Sequence, residues 1–439
     1  MTGGAWHPVL VGDDARRARS VALDVAARLL DPEHASRSLR HAATEIDLAG
    51  APPRSWNGPG LSGAGATAAV LCAELDALEP AANWDRRGHA CLATASSTAA
   101  NAPLGLFDGV AGMGFAAQRL ARGRERYGNL TLSVDEAVAR LITARWSGRM
   151  ELRGLPVREW DLISGITGIG AYLLVRSGDP DARRALERTL AALVALASDT
   201  GATARWATPP QHLFGYLQQH NPDGALNCGV AHGIIGPLAL LSLALTDGIE
   251  VAGQSDAVRT LAGWVSARAY PGPWGPQWPA AISVADQTPT PARPGWCYGN
   301  AGVARPLWLA GAAVGDEALQ ALALSAIRQA LARQAAERSL DAPTLCHGIA
   351  GLALVALRMA ADSGATDVSD DARALCLELL NGYDATAGFG YRDVTAAADG
   401  RRLEVDDPTL LAGAAGPALV LLAAASDVEP GWDRALLLA

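Results

Sequence analysis

Lysine is absent from this chain of 439 residues, and all 36 of its basic residues are arginine. Codon usage in a GC-rich genome is sufficient reason for that bias, and no function is read into it. Positive charge is also outweighed. The formal net charge is −9, which leaves no basic footprint for nucleic acid and disfavours attraction to anionic membranes. Residues 1–16 lack the apolar core of a signal peptide. The most membrane-like stretch, 409–425, holds Gly413, Gly416 and Pro417 and is marginal in length for crossing a bilayer, so it reads as a buried helix. No Cys-x-x-Cys occurs, and Cys72, Cys91, Cys228, Cys297, Cys346 and Cys376 are scattered. Reduced thiols in a cytoplasm fit that pattern better than a disulfide framework. Aromatics make up only 5% and charged residues 18%, while half the chain is hydrophobic, with Ala and Leu dominant. That is the composition of a helical protein with many buried helix faces.

What is present is repetition. A Gly-x-x-Gly signature occurs at Gly60 and Gly63, Gly109 and Gly112, Gly165 and Gly168, Gly233 and Gly236, Gly299 and Gly302, Gly348 and Gly351, and Gly413 and Gly416. An apolar run usually follows. The steps between first glycines run from 49 to 68 residues, enough for two helices plus loops. One helix of each pair is polar on its outer face, as at 181–198 and 317–338. The other is apolar nearly all round, as at 234–245, 348–359 and 411–424, and must be buried on nearly all sides. Seven such pairs predict an all-α double ring in one domain, 1–439. Residues 1–50 form an N-terminal helical extension, followed by a Gly/Pro-rich connection at 50–65. Helix N-termini gathered at one mouth would present unpaired N–H groups to a site there. Two segments break the helical pattern, 201–228 and the proline-rich 269–295. Both lead into motif-bearing repeats, as lids or substrate surfaces do.

The chemistry gathers just before the glycines. Trp296-Cys297-Tyr298 precedes the fifth pair and Cys346-His347 the sixth; one repeat step of 49 residues separates the cysteines. They read either as small buried hydrophobes or as ligands, since two thiols and an imidazole are a known zinc set with an open fourth position. His232 occupies the same slot as Tyr298 and His347, and Asp108 and Ser164 fill it in the second and third copies. It reads as a structural histidine or as an acid–base group. Asp161 reads as a helix cap, and Arg293 as a solvated loop residue or a fixed charge beside a metal.

With these motifs in order, at Asp161-x-x-x-Gly-x-x-Gly168, Ala231-His232-Gly-x-x-Gly236, Gly295-Trp-Cys-Tyr-Gly299 and Cys346-His347-Gly-Ile-Ala-Gly351, the chain resembles the lanthionine synthetase C family from about Gly50 to the end. The length resembles its stand-alone cyclases. The resemblance implies an α/α toroid of seven inner and seven outer helices and one zinc ion on Cys297, Cys346 and His347. It also implies catalysis by His232 and Asp161, with Arg293 and Tyr298 at further active-site positions. Its implied substrate is a dehydrated precursor peptide, whose Cys thiol adds to dehydroalanine or dehydrobutyrine. A separate dehydratase and an exporter are further implied partners, with a cytoplasmic location and membrane association through them. Rival expectations are a zinc–thiolate prenyltransferase-like toroid, a toroidal glycosidase, or a non-catalytic peptide- or glutathione-binding scaffold.

Overall fold

The computed structural model describes residues 6–146, 148–200 and 204–439. The start of the expected 1–16 segment and the first three positions of the 201–228 loop lie outside them. The chain groups into two compact units, each assembled from separated stretches.

The first unit comprises Met1–Ala102, Asp108–Arg126 and Leu340–Trp432. It opens with the expected helix pair, Gly12–Leu30 and Pro32–Leu48. Four further helices, Ala64–Leu78, Val110–Ala121, Ile349–Ser363 and Ala415–Ala424, are the apolar type, and the last buries every residue. The stretch suspected of membrane character is thus a core helix, and no helix among the described residues is long and apolar enough to cross a membrane. Trp84–Ser96 and Thr366–Asn381 are amphipathic partners. A two-stranded antiparallel hairpin, Arg392–Ala396 with Arg402–Asp406, sets Asp393 opposite Val405.

The second unit comprises Pro103–Phe107, Tyr127–Ser339 and Asp433–Ala439. Its apolar helices are Ile166–Val175, Ile235–Thr246 and Gly299–Val314. Gly128–Leu141, Pro180–Ala197, Gln254–Ser266 and Glu317–Leu331 are amphipathic. The polar helix expected to reach residue 338 stops at Leu331, and Gln334 starts a separate short turn with a capping box to Glu337. The non-helical 269–295 contains short antiparallel strands. Tyr270–Gly272 pairs with Gly275–Gln277, while Ala281–Ser283 lies between Ala225–Asn227 and Pro289–Thr290.

The two helix types start differently. Asp31, Asp179 and Asp316 each accept two backbone N–H bonds from the first turn of a polar helix, a cap that contributes about 1 kcal/mol. Five of the apolar helices instead have glycine as cap or first residue, at Gly63, Gly109, Gly165, Gly299 and Gly348, while Gly233 and Gly413 lie one residue before the cap. The reason for glycine is steric. The turn before each helix folds back against its first residues. A Cβ on Gly168 would overlap the Leu162 carbonyl, and one on Gly236 would lie 2.6 Å from the Val230 carbonyl oxygen.

The first copy follows this rule in a shifted frame. Gly63, not Gly60, precedes helix Ala64–Leu78 and carries the clash, against the Gly58 carbonyl. Gly63 N still donates to Gly60 O at 2.8 Å, as Gly112 N does to Gly109 O and Gly236 N to Gly233 O, so the pair is kept and the helix start is shifted.

Successive turns within a unit are also joined. In the second unit Phe107 N donates to Ile163 O, Leu162 N to Ala231 O, and Val230 N to Cys297 O. In the first, Leu345 N and Cys346 N both donate to Leu411 O. A row of turns is thus laced together by main-chain bonds directly beside the slot residues.

Candidate active site and metal ligands

In the second unit the Asp161 turn is braced from behind. Buried Glu159 accepts hydrogen bonds from Arg145 at 2.6 Å, and from Trp146 and Arg149 at 3.3 Å. Burial pushes the Glu159 carboxyl up, but the Arg145 and Trp146 hydrogen bonds outweigh it and hold its pKa below the ordinary value. Two residues on, Asp161 is 1% exposed. Its Oδ1 accepts the backbone N–H groups of Ser164 and Gly165 at 2.8 and 2.9 Å. Its Oδ2 takes Nδ1 of His232 at 2.7 Å. The cap and the histidine partner are therefore the same carboxylate. Both of its oxygens are fixed, and both sets of donors are uncharged when the ring is neutral.

His232 is part-exposed, and Phe214 meets its ring edge-on with centroids 5.3 Å apart. With Nδ1–H given to Asp161, Nε2 is the ring atom left to exchange a proton. On the next turn, Cys297 is buried and its carbonyl holds Val230. Tyr298 is half-buried, and its hydroxyl accepts from Asn227 Nδ2 at 3.2 Å. Asn227 Oδ1 in turn accepts Gly229 N–H at 3.0 Å, which fixes the turn that carries His232. Asp161, His232, Cys297 and Tyr298 thus stand on neighbouring linked turns. Arg293 does not join them: its side chain is exposed, and among the described residues no hydrogen bond or ion pair ties it to the others. Its contribution is its carbonyl, packed under Gly299 at a φ of +72°, where a side chain would be strained.

In the first unit Cys346 is partly exposed and its main chain is tied to Leu411. His347 Nε2 lies 3.7 Å from Oδ1 of Asp393. Arg54 donates to Asp393 Oδ2 at 2.6 Å and to Asp407 Oδ2 at 3.1 Å, and Trp56 Nε1 also reaches Asp407. Among the described residues no group of three or more His, Cys, Asp or Glu side chains stands at metal-holding spacing. The donor set itself suits zinc: two thiols and an imidazole, the imidazole facing a carboxylate. The other cysteines are different. All six are free, and burial pushes the thiol of Cys91 up to about 11 and those of Cys228 and Cys376 up to about 12. These are packed hydrophobes, not nucleophiles.

Sequence reasoning missed Asn227, Phe214, Glu159, Asp393 and Arg54. Asn227 directly precedes the Cys228–His232 run, Glu159 stands two residues before Asp161, and Phe214 lies in the 201–228 segment read as a lid or substrate surface, so these three had a nearby signal. Arg54 and Asp393 lie 339 positions apart in the chain.

Glycine-started apolar helices, a His–Asp pair and turn-borne Cys and Cys-His motifs define a helical-repeat protein with an acid–base site and thiol donors. Residues 55–437 match the model of the lanthionine synthetase C-like protein family, and the chain belongs to that family. Nisin biosynthesis protein NisC of Lactococcus lactis subsp. lactis is 23% identical over 257 residues, covering 56% of this chain and 60% of that relative. The match therefore spans less than two thirds of that relative's length. The solved structure of a nisin cyclase resembles this one with a TM-score of 0.73 at 19% identity, over 92% of this chain and 97% of that chain. That likeness shows the fold class, the all-α α/α toroid.

Proposed function

We propose that this chain is a zinc-dependent lanthipeptide cyclase that closes thioether rings in a dehydrated precursor peptide. The observation that carries the proposal is the His232–Asp161 pair at 2.7 Å, on the turn whose backbone is bonded to that of Cys297. Family membership and the donor chemistry of Cys297, Cys346 and His347 support it. One zinc ion held by those three residues would make the substrate's Cys thiol a thiolate at neutral pH, where a free thiol with a pKa of about 8.5 is mostly protonated.

The chain's own groups handle the rest. The sulfur forms a bond to the β-carbon of dehydroalanine or dehydrobutyrine, and the C=C electrons move onto the carbonyl oxygen as an enolate. The α-carbon then takes a proton from His232 Nε2, while Asp161 holds the imidazolium in place through Nδ1. The thiol's own proton leaves to solvent and solvent returns one to His232, so one proton lost from sulfur is matched by one gained at the α-carbon and the product has the mass of its precursor. Tyr298, steadied by Asn227, borders the same turn. Arg293 serves enolate stabilisation only after its exposed side chain swings inward. A separate dehydratase supplies the substrate and an exporter takes the product, in a cytoplasmic setting with membrane association through those partners.

The test is co-expression with a dehydrated precursor, thiol alkylation, mass spectrometry and a zinc assay. Wild type should hide the Cys thiols from alkylation without changing peptide mass. Cys297→Ala should lose zinc and leave the thiols open. Full ring formation by zinc-free wild type sinks the proposal; a zinc-loaded protein that forms no rings points to the scaffold alternative.

A further inference from the structure

His347 has a neighbour that no motif announces. The hairpin Arg392–Ala396 with Arg402–Asp406 is an insertion of strand into a helical unit, and it carries Asp393 on its inner side, 2% exposed. Asp393 Oδ1 faces His347 Nε2 at 3.7 Å and lies 3.5 Å from the hydroxyl of Thr344, in the turn before helix Ile349–Ser363. Its other oxygen is clamped by Arg54 at 2.6 Å. Arg54 is itself tied to Asp407, whose second oxygen is taken by Thr409 N and Oγ1 at 2.8 and 2.6 Å. Every member belongs to the first unit. A buried carboxylate needs a charged partner, and Arg54 alone would meet that need. Arg54 and the Thr344 hydroxyl between them partner both oxygens, so burial of Asp393 does not require Oδ1 to face an imidazole as well, yet the hairpin places it there.

We propose that Asp393 is a positioning residue. It fixes the ring orientation of His347, so that Nδ1 faces outward as a metal donor, and Arg54 anchors Asp393 from behind. Resting on the reading of His347 as a zinc ligand, this assigns a role to the strand hairpin and to the 50–65 connection that carries Arg54. A carboxylate behind a ligating imidazole fixes its tautomer and orientation, and losing it lowers metal affinity about 10–100-fold.

The probe is zinc alone, in competition with a chromophoric chelator, on the full chain, alongside the melting temperature of the metal-free protein. Asp393→Asn should weaken zinc binding by about 10–100-fold. Arg54→Met, which keeps the carboxylate, should lower the metal-free melting temperature at least as much but cost less zinc affinity. Zinc affinity of Asp393→Asn within twofold of wild type, or an equal loss in both variants, overturns the proposal. Should Asp393→Asn fail to fold, Asp393→Glu replaces it: the charge on Arg54 is kept and the carboxylate is displaced by one methylene. Wild-type affinity there overturns the proposal equally. A His347→Ala protein that still takes up a full zinc ion overturns the ligand reading itself, and the Asp393 role with it.

Discussion

The turns that carry His232 and His347 are built on the same glycine frame, and each histidine faces a buried aspartate. The two aspartates are supported differently. Asp161 is held by two uncharged backbone donors and reaches His232 at 2.7 Å. Among the described residues no arginine is paired with it. Asp393 is held by the guanidinium of Arg54 and stands back from His347 at 3.7 Å. A carboxylate with its charge uncompensated is suited to stabilise a ring that carries a proton. One already paired with arginine can orient a ring without drawing a proton onto it, which is what a neutral metal ligand requires. On the proposed reading, one frame serves a proton-transfer histidine in one unit and a ligand-type histidine in the other. The difference lies in what stands behind each carboxylate.

Substitutions can break that comparison. The largest expected effect is that of His232→Ala. Ring formation should fall by about 10²–10⁴-fold, the range for losing a general acid, with zinc content unchanged. Alkylation mass spectrometry and metal analysis would show it, and unaltered ring closure would remove His232 as the acid. Asp161→Asn should be the next largest, roughly 100-fold, because an amide donor facing Nδ1 selects the other tautomer. The same exchange at Asp393 should act on zinc affinity instead, so equal behaviour of the two variants would erase the distinction drawn above.

Gly236→Ala addresses the frame rather than the chemistry. Its Cβ would lie 2.6 Å from the Val230 carbonyl oxygen, and the forced shift should cost about 1–3 kcal/mol. Calorimetry should show a lower melting temperature, whereas a stability equal to wild type would mean that the turn yields freely. The smallest effect concerns Glu159. Its folded-state pKa lies below the ordinary value because the Arg145 and Trp146 hydrogen bonds outweigh burial. The stability it contributes is therefore present above the normal carboxylate range and lost as pH falls through the depressed folded value. Glu159→Gln should be less stable than wild type near neutrality, and the gap should shrink below about pH 4. A gap that widens on acidification would contradict that sign.

Much of the candidate site was legible because its residues sit at fixed offsets from glycines. His232, Cys297, Tyr298, Cys346 and His347 could be found by counting. Asp161 could be found too, and its ordinary role as a cap proved to be the way it holds still for His232. The first copy differs in where its helix starts, since Gly63, the second glycine of the pair, is the residue that precedes helix Ala64–Leu78. Arg293 matched by motif, yet its side chain is exposed, since Pro294 and Gly295 let the backbone turn between it and Trp296. Asp393 and Arg54 were invisible for a simpler reason. They meet across most of the chain, and the five-residue strands that place Asp393 show no clear alternation for a sequence to reveal.

The lacing of Phe107 to Ile163, Leu162 to Ala231 and Val230 to Cys297 uses only N–H and C=O groups, which every residue but proline supplies in full. The side chain at the neighbouring slot is not needed to hold its own turn. Asp108, Ser164, His232 and Tyr298 can therefore differ while the turns beneath them stay the same. The row behaves like a set of numbered sockets, where a fitting can be exchanged without rewiring the board.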